Sequence, residues 1–593
     1  MVIMKVKCFI LFFLCFGIVS VYSQSALYTY ALPPAGLIVN DPPLAAPMRQ
    51  AEAPATYLVP SDYTIGHNTD FTVSVKKENA TEWTDLFEYN TFVNKSLGDL
   101  TESSRSSFVS FDFSGSVTVK ITCNNYTDVT GKITVRPLSR TIIPVIEPNA
   151  KNTFTFNIND PSKYSVEIDG HRYNNLQIFA NALSNYAIKP TITYEPGVSY
   201  YNESLNSAHK KIHIKPGAVL IVPYLGPFPY NENGKIIVQD NDEIYIEAGG
   251  VLKGGIIGRD VKNVKIFGRG MIDISNYPKQ YDADVDNYAY IRGVILNSCN
   301  NLLIDGITIS DSQQCCIEID ESYDIRINDV KLFSRAKWGD GIHMQGTSNV
   351  TINDCYNRNS DDCIAIYCSR HGAPPYVDED KNTTYLFNEA SNITVTNTLL
   401  YADRGHPIEI GFHGDNAYGH ELKIQNLYFE DIDILEHDEL WLSDGNYNDV
   451  YTGAISINCS DNIVCNDFVF KNINVEDFSN GRLLSVNVEP EGSGAARANG
   501  KSVTNIRFEN LSYNGYGERP SSIKGIDAGR YVKEVYFENF KVNGRLIRRL
   551  GDYKAQGVKM IATNRFAYKV TFQENDHWYN FIRRMFKGKK TGS

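Results

Sequence analysis

A short motif that occurs nine times between residues 263 and 540 constrains the fold of this chain more than any other feature. Each copy starts with Asn, Asp or, once, Glu, followed by an apolar residue, any residue and a second apolar residue. Successive copies at Asn301, Asp324 and Asn349 are 23 and 25 residues apart (324 − 301 and 349 − 324). Alternation with a period of two predicts strands, and recurrence every ~20–30 residues predicts a solenoid. The nine copies begin at Asn263, Asn301, Asp324, Asn349, Asn392, Asn426, Asp467, Asn505 and Glu534.

We therefore predict an all-β protein whose main body is a right-handed parallel β-helix, in which each coil buries its inward side chains by stacking on its neighbours. Before the repeats, residues 57–210 alternate apolar and polar residues in short runs punctuated by Gly, Asn and Pro, a pattern typical of a β-sandwich. The predicted domains are a signal peptide (1–24), a linker or extended arm (25–56), a β-sandwich (57–210), a β-helix catalytic domain (211–545) and a basic cap or tail (546–593).

The first residues carry Lys5 and Lys7 and then an apolar run over 9–21, which is too short to span a membrane. A cleaved signal peptide and a secreted or periplasmic protein without a membrane partner are expected. The net charge of −12 argues against nucleic acid as a partner. Without the signal peptide nine cysteines remain, and no Cys-x-x-Cys or His/Cys cluster indicates zinc. We predict no cofactor and no metal; disulfide pairing and oligomeric state stay open.

Charged residues recur at one position of the predicted coils, two residues before an apolar–x–apolar strand. Asp340 precedes Ile342 in this way, Asp362 precedes Ile364, and His406 precedes Ile408. Gly453 and Arg482 take the same place in the later coils. Equal register in a stacked ladder puts such residues in one column, roughly 4.8 Å per coil. Asp361 adds a third carboxylate beside the column.

Carboxylates gathered in this way repel one another and lose solvation, so stability alone does not account for them. Glycoside hydrolysis uses such a cluster, because one acid protonates the leaving oxygen while another activates water. A structural ladder of acids or a calcium site remains the alternative from the column alone.

Three ordered motifs within roughly 210–545 resemble glycoside hydrolase family 28, the polygalacturonases. They are Trp338-Gly-Asp-Gly341, Ser360-Asp-Asp-Cys-Ile-Ala-Ile366 and Arg404-Gly-His-Pro-Ile-Glu-Ile-Gly411. The resemblance implies that Asp361 is the general acid and that Asp340 and Asp362 hold and deprotonate the water. It implies that His406 tunes the acid and contacts substrate, and that the anomeric configuration is inverted.

The chain also departs from this family. The substrate-binding Arg-x-Lys of family 28 is expected near 481–486, where Arg482 lies one place early and Ser485 takes the place of Lys. Trp338 replaces the Asn of the first motif. Arg404 and Trp338 are further candidate substrate contacts, and Trp441, with Tyr447, is a candidate to stack on sugar rings.

A β-sandwich followed by a β-helix also resembles glycoside hydrolase family 49, the dextranases and isopullulanases. The expected function is hydrolysis of a polysaccharide or oligosaccharide that is pectin-like, dextran-like or an algal glycan. Two alternatives are weighed against it. A polysaccharide lyase would need a Lys or Arg base with calcium, and the cluster offers no such Lys. A non-catalytic carbohydrate-binding β-helix would not need three acids beside a His.

Overall fold

The computed structural model describes residues 25–44, 60–97, 100–224, 233–277, 291–336, 338–368, 376–377, 383–384, 389–415, 419–439, 452–493, 496–516, 519–552, 554–555, 558–559 and 561–573. Within these ranges no helix is both long enough and apolar enough to cross a membrane. The short 3-10 helices are Ala35–Leu37, Pro60–Asp62, Leu138–Arg140 and Glu203–Ser207.

Strands dominate the described structure, and the predicted parallel β-helix preceded by a β-sandwich is confirmed. A central coil contributes two strands, such as Tyr323–Asn328 and Lys331–Ser334, to a 24-stranded sheet and a third, Ile342–Gln345, to an 11-stranded sheet. The 24 strands are Ile192–Tyr194, Gly197–Tyr200, Lys211–Ile214, Ala218–Ile221, Glu243–Ile246, Val251–Lys253, Lys265–Gly268, Met271–Asp273, Asn300–Asp305, Thr308–Ser312, Tyr323–Asn328, Lys331–Ser334, Ser348–Asn353, Tyr356–Asn359, Ala390–Thr396, Leu399–Ala402, Leu422–Glu436, Ile463–Glu476, Ser502–Glu509, Ser512–Asn514, Tyr531–Glu538, Lys541–Val542, Arg545–Leu546 and Ala567–Gln573.

The 11-stranded sheet, called here the site sheet, carries the predicted column of charged residues. Its strands pair in parallel along the β-helix axis. They are Lys235–Ile237, Gly255–Arg259, Val294–Asn297, Ile317–Asp320, Ile342–Gln345, Ile364–Tyr367, Ile408–Ile410, Gly453–Cys459, Arg482–Val488, Ser521–Lys524 and Ile561–Thr563.

The first residue of each repeat adopts the left-handed backbone conformation. All nine have positive φ, from 51° at Asn301 to 64° at Glu534. Asn and Asp tolerate this conformation better than other non-glycine residues, which explains the polar residue that starts the motif. Their side chains also form a ladder between coils: the Asn349 amide nitrogen donates to Asp324 at 3.1 Å, and the Asn392 amide nitrogen donates to Asn349 at 3.0 Å.

The β-sandwich consists of an eight-stranded and a five-stranded sheet. The larger contains Ala26–Thr29, Ile38–Asn40, Ile65–His67, Tyr89–Leu97, Leu100–Ser114, Ile133–Arg136, Ser162–Ile168 and His171–Ala182. The smaller contains Phe71–Lys77, Thr84–Asp85, Val117–Cys123, Val145–Glu147 and Ala150–Ile158. Two hairpins, Tyr376–Val377 with Thr383–Thr384 and Lys554–Ala555 with Val558–Lys559, stand apart from the large sheets.

The boundaries of these units differ from those expected from sequence. Part of the expected arm, Ala26–Thr29, pairs with the strand that ends at Ser114 and so belongs to the sandwich. The β-helix starts at Ile192–Tyr194, which pairs with Lys211–Ile214, and it continues to Ala567–Gln573. Composition marked the Pro-rich and basic stretches but could not reveal these pairings, which join residues distant in the chain. Residues 1–24 lie outside the described ranges.

The sandwich is joined to the β-helix through a shared apolar core and buried polar contacts. The rings of Phe108 and Phe333, one from each unit, stack with centroids 5.5 Å apart. Arg358 of the β-helix is fully buried, binds Asp403 and donates to Asn175 of the sandwich at 2.6 Å. The nine cysteines outside residues 1–24 are buried free thiols.

Candidate active site

Strand register brings the predicted column together on the outer face of the site sheet. Ile342 is opposite Ile364, and Ile364 is opposite Ile408. The residues two places before these strands therefore lie in one line where the strands begin, and that line holds Asp340, Asp362 and His406. Backbone hydrogen bonds fix the line: the Gly341 N–H donates to the Asp362 carbonyl at 2.9 Å, and the Cys363 N–H donates to the His406 carbonyl at 2.8 Å.

Three carboxylates converge at the centre of this line. One oxygen each from Asp340, Asp361 and Asp362 lies within 4.8 Å of the others. Asp340 and Asp362 are buried, whereas Asp361 is half-buried and so is the most accessible of the three. Three carboxyl groups this close and this poorly solvated cannot all be ionised at once. They therefore titrate as a coupled group that shares protons.

Asp362 is the carboxylate that the surroundings hold ionised. Its Oδ1 accepts hydrogen bonds from the His406 N–H at 3.0 Å and from His406 Nδ1 at 2.7 Å, and its Oδ2 accepts one from the Tyr367 hydroxyl at 2.8 Å. Burial alone would raise the pKa of Asp362, but the His406 charge and these donors outweigh burial and lower it.

The surroundings of Asp340 stabilise its ionised form less than those of Asp362 do. Burial, followed by the neighbouring charge of Asp362, raises the pKa of Asp340 well above its ordinary value. Its Oδ2 lies 2.6 Å from Nδ1 of His343. The amide nitrogen of Gln345 donates to Nε2 of His343 at 2.8 Å, so the His343 proton resides on Nδ1 and points to Asp340. Burial lowers the pKa of His343, which keeps this imidazole neutral.

Asp361 lies beside the column and close to the backbone of the next coil. Burial, then the charges of Asp362 and Asp340, raises the pKa of Asp361 well above its ordinary value. Gly405 has φ +83°, and a Cβ at that position would lie 2.9 Å from Cα of Asp361. Glycine at 405 thus permits both the backbone turn and the close approach that set the position of Asp361.

His406 is the cation of the cluster, although it is completely buried. Its Nδ1 lies 2.7 Å from Asp362 and 3.7 Å from Glu409, and its Nε2 lies 4.0 Å from Glu439. Burial opposes the charged form, but these carboxylates raise the pKa of His406 to about 10. With no exposed surface, His406 cannot contact a sugar directly, and the expected substrate contact is wrong. His406 fixes Asp362 instead.

The residues expected to bind substrate have different environments. Trp338 is exposed (38%), adopts a left-handed backbone conformation (φ 57°) and lies two residues before Asp340. The left-handed conformation of Trp338 is uncommon for a bulky residue and is found at functional sites. Arg404, which lies between the acid pair and His406 in the sequence, is buried (7% exposed). Trp441 and Tyr447 lie outside the described residues.

Arg482 does not meet the expectation of an exposed sugar-binding cation. Its side chain is 3% exposed and its Nε donates to the Thr452 hydroxyl at 2.9 Å. It lies two coils beyond His406, since the strand Gly453–Cys459 intervenes. The sequence placed Arg482 two residues before its strand but could not show that the side chain is buried there.

Part of the outer face of the site sheet beyond His406 is closed to solvent. Its hydrogen-bonded chain is fully buried: Asn458 donates to Glu409 at 3.0 Å, and Ser485 donates to Asn458 at 3.1 Å. The chain continues from Asn487 to Ser485 at 2.7 Å. A bulky ligand cannot reach these buried side chains, whereas Asp361 is partly exposed.

Sequence reasoning missed three side chains that complete the site. His343 and Glu409 occupy the middle of apolar–x–apolar strands, and this outward position was the available signal. Tyr367, which donates to Asp362, is the last residue of the strand Ile364–Tyr367. Two groups of ligand atoms, Cys315–Asp340–His343 and Asp340–Asp361–Asp362, have donors suited to a cation. The hydrogen bonds from His343, Tyr367 and His406 already engage oxygens of Asp340 and Asp362.

Known proteins resemble this chain in sequence and in architecture. Residues 231–441 match the model of the glycosyl hydrolases family 28. The β-helix is similar to this family. "Polygalacturonase QRT2" from Arabidopsis thaliana is 23% identical over 301 residues, which are 49% of this chain and 59% of the relative. "Probable polygalacturonase At3g15720" from Arabidopsis thaliana is 39% identical over 71 residues, which are 12% of this chain and 16% of the relative.

The chain thus spans about three fifths of the length of the first of these two relatives and about a sixth of the second. A solved structure resembles nearly the whole molecule. "Dex49A from Penicillium minioluteum" has a TM-score of 0.58 at 14% identity and covers 92% of this chain and 100% of its own. This likeness shows that the sandwich and β-helix occur together in a known fold.

Proposed function

We propose that this protein is a glycoside hydrolase that cleaves a polysaccharide, with Asp361 as the general acid and Asp340 and Asp362 as the pair that activates water. The convergence of three carboxylates within 4.8 Å, two with raised and one with lowered pKa, carries the proposal. Environments that separate the pKa values of neighbouring carboxyl groups allow one to give a proton while another accepts one. Similarity to family 28 supports the same function.

Each carboxyl group has a distinct task in this mechanism. Asp361 is the most accessible of the three and its raised pKa keeps it protonated, so it delivers a proton to the glycosidic oxygen. Asp362, ionised by His406, removes a proton from the attacking water. Asp340, held by His343, binds that water from the neighbouring coil. Proton donation to the leaving group and loss of a proton from water complete hydrolysis.

The reaction is proposed to invert the anomeric configuration, as the resemblance to family 28 implies. Inverting enzymes usually separate the two carboxyl groups by roughly 6.5–9.5 Å, and retaining enzymes by about 5–5.5 Å. Here one oxygen from each of the three carboxyl groups lies within 4.8 Å of the others, closer than the range for inverting enzymes, so the inverted outcome is argued from the family resemblance alone. Proton NMR of the first product distinguishes the two, because the configuration of the newly released anomer is read before mutarotation.

The proposed substrate is a neutral or differently charged glycan rather than plain homogalacturonan. Arg482 and Ser485 are buried and hydrogen-bonded, so neither supplies a cation to a uronate carboxylate. A charge-assisted contact of that kind stabilises binding by ~1.5–3 kcal/mol. The proposed site of action is outside the cytoplasm, consistent with the expected signal peptide.

A substrate screen tests this choice. Purified protein is incubated with polygalacturonate, pectin, dextran, pullulan and algal galactans, and both reducing ends and unsaturated products are measured. We expect reducing ends without unsaturated products, and a higher rate on a neutral or sulfated glycan than on polygalacturonate. Equal rates on polygalacturonate would contradict the substrate proposal, and unsaturated products would identify a lyase.

The general acid is tested by Asp361→Asn. Loss of general acid catalysis typically lowers the rate ~10²–10⁴-fold, and Asn has nearly the same shape, so the fold should persist. Asp324→Asn is a matched control, since Asp324 is an exposed repeat residue of the same β-helix. Rates on the best substrate and circular dichroism spectra are compared for both variants. An Asp361→Asn enzyme that retains more than about a tenth of the wild-type rate would remove Asp361 from this role.

A further inference from the structure

An arginine of the β-sandwich binds two acidic side chains of the β-helix that lie near the active site. Arg172 lies in the sandwich strand His171–Ala182, and its side chain is mostly buried (17% exposed). It forms an ion pair with Asp438 and another with Glu436 at 3.3 Å. It also donates to the Ser479 hydroxyl at 2.9 Å. A planar guanidinium with several donors is suited to fixing two carboxylates at once.

The two carboxylates bound by Arg172 belong to a short run, Glu436–Glu439, that lies against the catalytic acids. The Asp438 backbone bridges to Gly405, the residue that contacts Asp361. Between the two carboxylates, His437 places Nδ1 3.0 Å from the Gly405 carbonyl. At the end of the run, Glu439 is buried and lies 4.0 Å from His406.

We propose that Arg172 is a positioning residue of the active site: by holding Glu436 and Asp438 it keeps Glu439 beside His406 and Asp361. The sandwich is then part of the catalytic apparatus rather than a separate packing or sugar-binding unit. This inference rests on the proposed hydrolase function, although one of its readouts does not require activity.

Glu439 influences the pKa of His406 and of Asp361, so a displacement of Glu439 can be measured through these two pKa values. His406 faces Asp362 and Glu409 at Nδ1 and Glu439 at Nε2, and its ring lies 5.9 Å from that of His437. Asp361 faces Asp340, Asp362, Glu439 and His406. Withdrawal of the negative Glu439 should therefore lower the pKa of both His406 and Asp361.

The first experiment compares Arg172→Gln with Glu439→Gln and Lys163→Met in the full-length protein. Lys163 is the matched control because it is buried in the sandwich and forms ion pairs with the buried Asp329 and the more exposed Asp354 of the β-helix rather than with Glu436–Glu439. Each variant is assayed for Tm and for the pH dependence of kcat/KM. We expect Arg172→Gln and Glu439→Gln to shift the alkaline limb of the profile, set by Asp361, to lower pH by about half a unit or more.

Lys163→Met should lower Tm and leave the pH profile in place. Arg172→Gln with the same lowered Tm and an unchanged profile would overturn the proposal, because Arg172 would then serve only stability. Arg172→Lys retains a charge but not the planar fork; it should fold and show an intermediate shift. If Arg172→Gln does not fold, the Arg172→Lys and Glu439→Gln profiles decide, and an unshifted profile in both counts against the proposal.

The second readout separates this inference from the proposed function. The His406 imidazole is titrated by NMR in histidine-labelled protein and assigned by its absence in His406→Gln. We expect its pKa to be lower in Arg172→Gln and Glu439→Gln than in wild type, whatever substrate is found. Absence of hydrolysis by the wild type on every glycan would refute the proposed function, whereas an unchanged His406 titration would refute the role of Arg172.

Discussion

At the scale of single residues, the site depends on a buried charge pair. The pKa of His406 is about 10 in the folded protein, against an ordinary value of 6.5, because Glu409 and Asp362 face it. The folded state therefore binds more protons than the unfolded state between these pH values. Stability contributed by His406 is fully present below about pH 6.5 and is lost as the pH rises through about 10.

We predict that His406→Gln lowers the free energy of unfolding most at pH 6, by about 3–5 kcal/mol, because it leaves Asp362 buried without its partner. The difference from wild type should shrink steadily towards pH 10. Urea unfolding at pH 6, 8 and 10 measures it. His420→Gln, at a side chain that is 48% exposed and paired with Asp415, is the control and should show a small, nearly constant effect. A difference for His406→Gln that does not depend on pH would contradict the assigned charge.

The positions of residues in the site were predictable from sequence only where the strand period determined them. Asp340, Asp362 and His406 could be aligned because each precedes an apolar–x–apolar strand by two residues, and register then follows from coil stacking. The Glu436–Glu439 run could not be aligned, because it follows a long strand and turns back towards Gly405. Its place depends on Arg172, some 260 residues earlier in the chain (438 − 172 = 266).

At the scale of elements, the first residue of each of the nine repeats has a structural role of its own. Sequence predicted the strands from the apolar residues, but the reason for the polar start lies in the backbone. A left-handed residue without a local polar side chain costs roughly 1–2 kcal/mol, and Asn also joins its neighbours in a ladder. The turn and the stacking between coils are thus specified by the same residue.

We predict that Asn349→Leu lowers Tm more than Asn349→Gly. Both lose the hydrogen bonds to Asp324 and Asn392, but only Leu is strained at φ 55°. Differential scanning calorimetry measures the change, and the difference between the two variants should correspond to about 1–2 kcal/mol. Thr351→Leu, at an exposed position of the same strand, is the control. Equal Tm values for the Leu and Gly variants would show that backbone strain is not the reason for Asn.

At the scale of the whole molecule, the sandwich and the β-helix share buried structure. Tyr89, Phe108 and Phe179 of the sandwich belong to the same apolar cluster as the β-helix interior. Phe179 also lies 5.3 Å from Tyr356, whose hydroxyl donates to Gln177 at 2.7 Å. Composition suggested two units, yet it gave no sign of this junction, because the contacts join residues more than 150 positions apart (356 − 177 = 179).

We predict that the two units unfold together in a single calorimetric transition. Phe154→Ala weakens the separate core of the sandwich, and Phe470→Ala weakens the stacked aromatic column of the β-helix. Each truncation of a buried Phe costs about 3–5 kcal/mol, and in a coupled molecule both should move the same peak to lower temperature. Two peaks, with Phe154→Ala shifting only one and Phe470→Ala only the other, would show that the junction does not couple the units. Such a result would also weaken the case for Arg172, because a sandwich that melts independently cannot hold Glu436–Glu439 at temperatures where the β-helix is still folded.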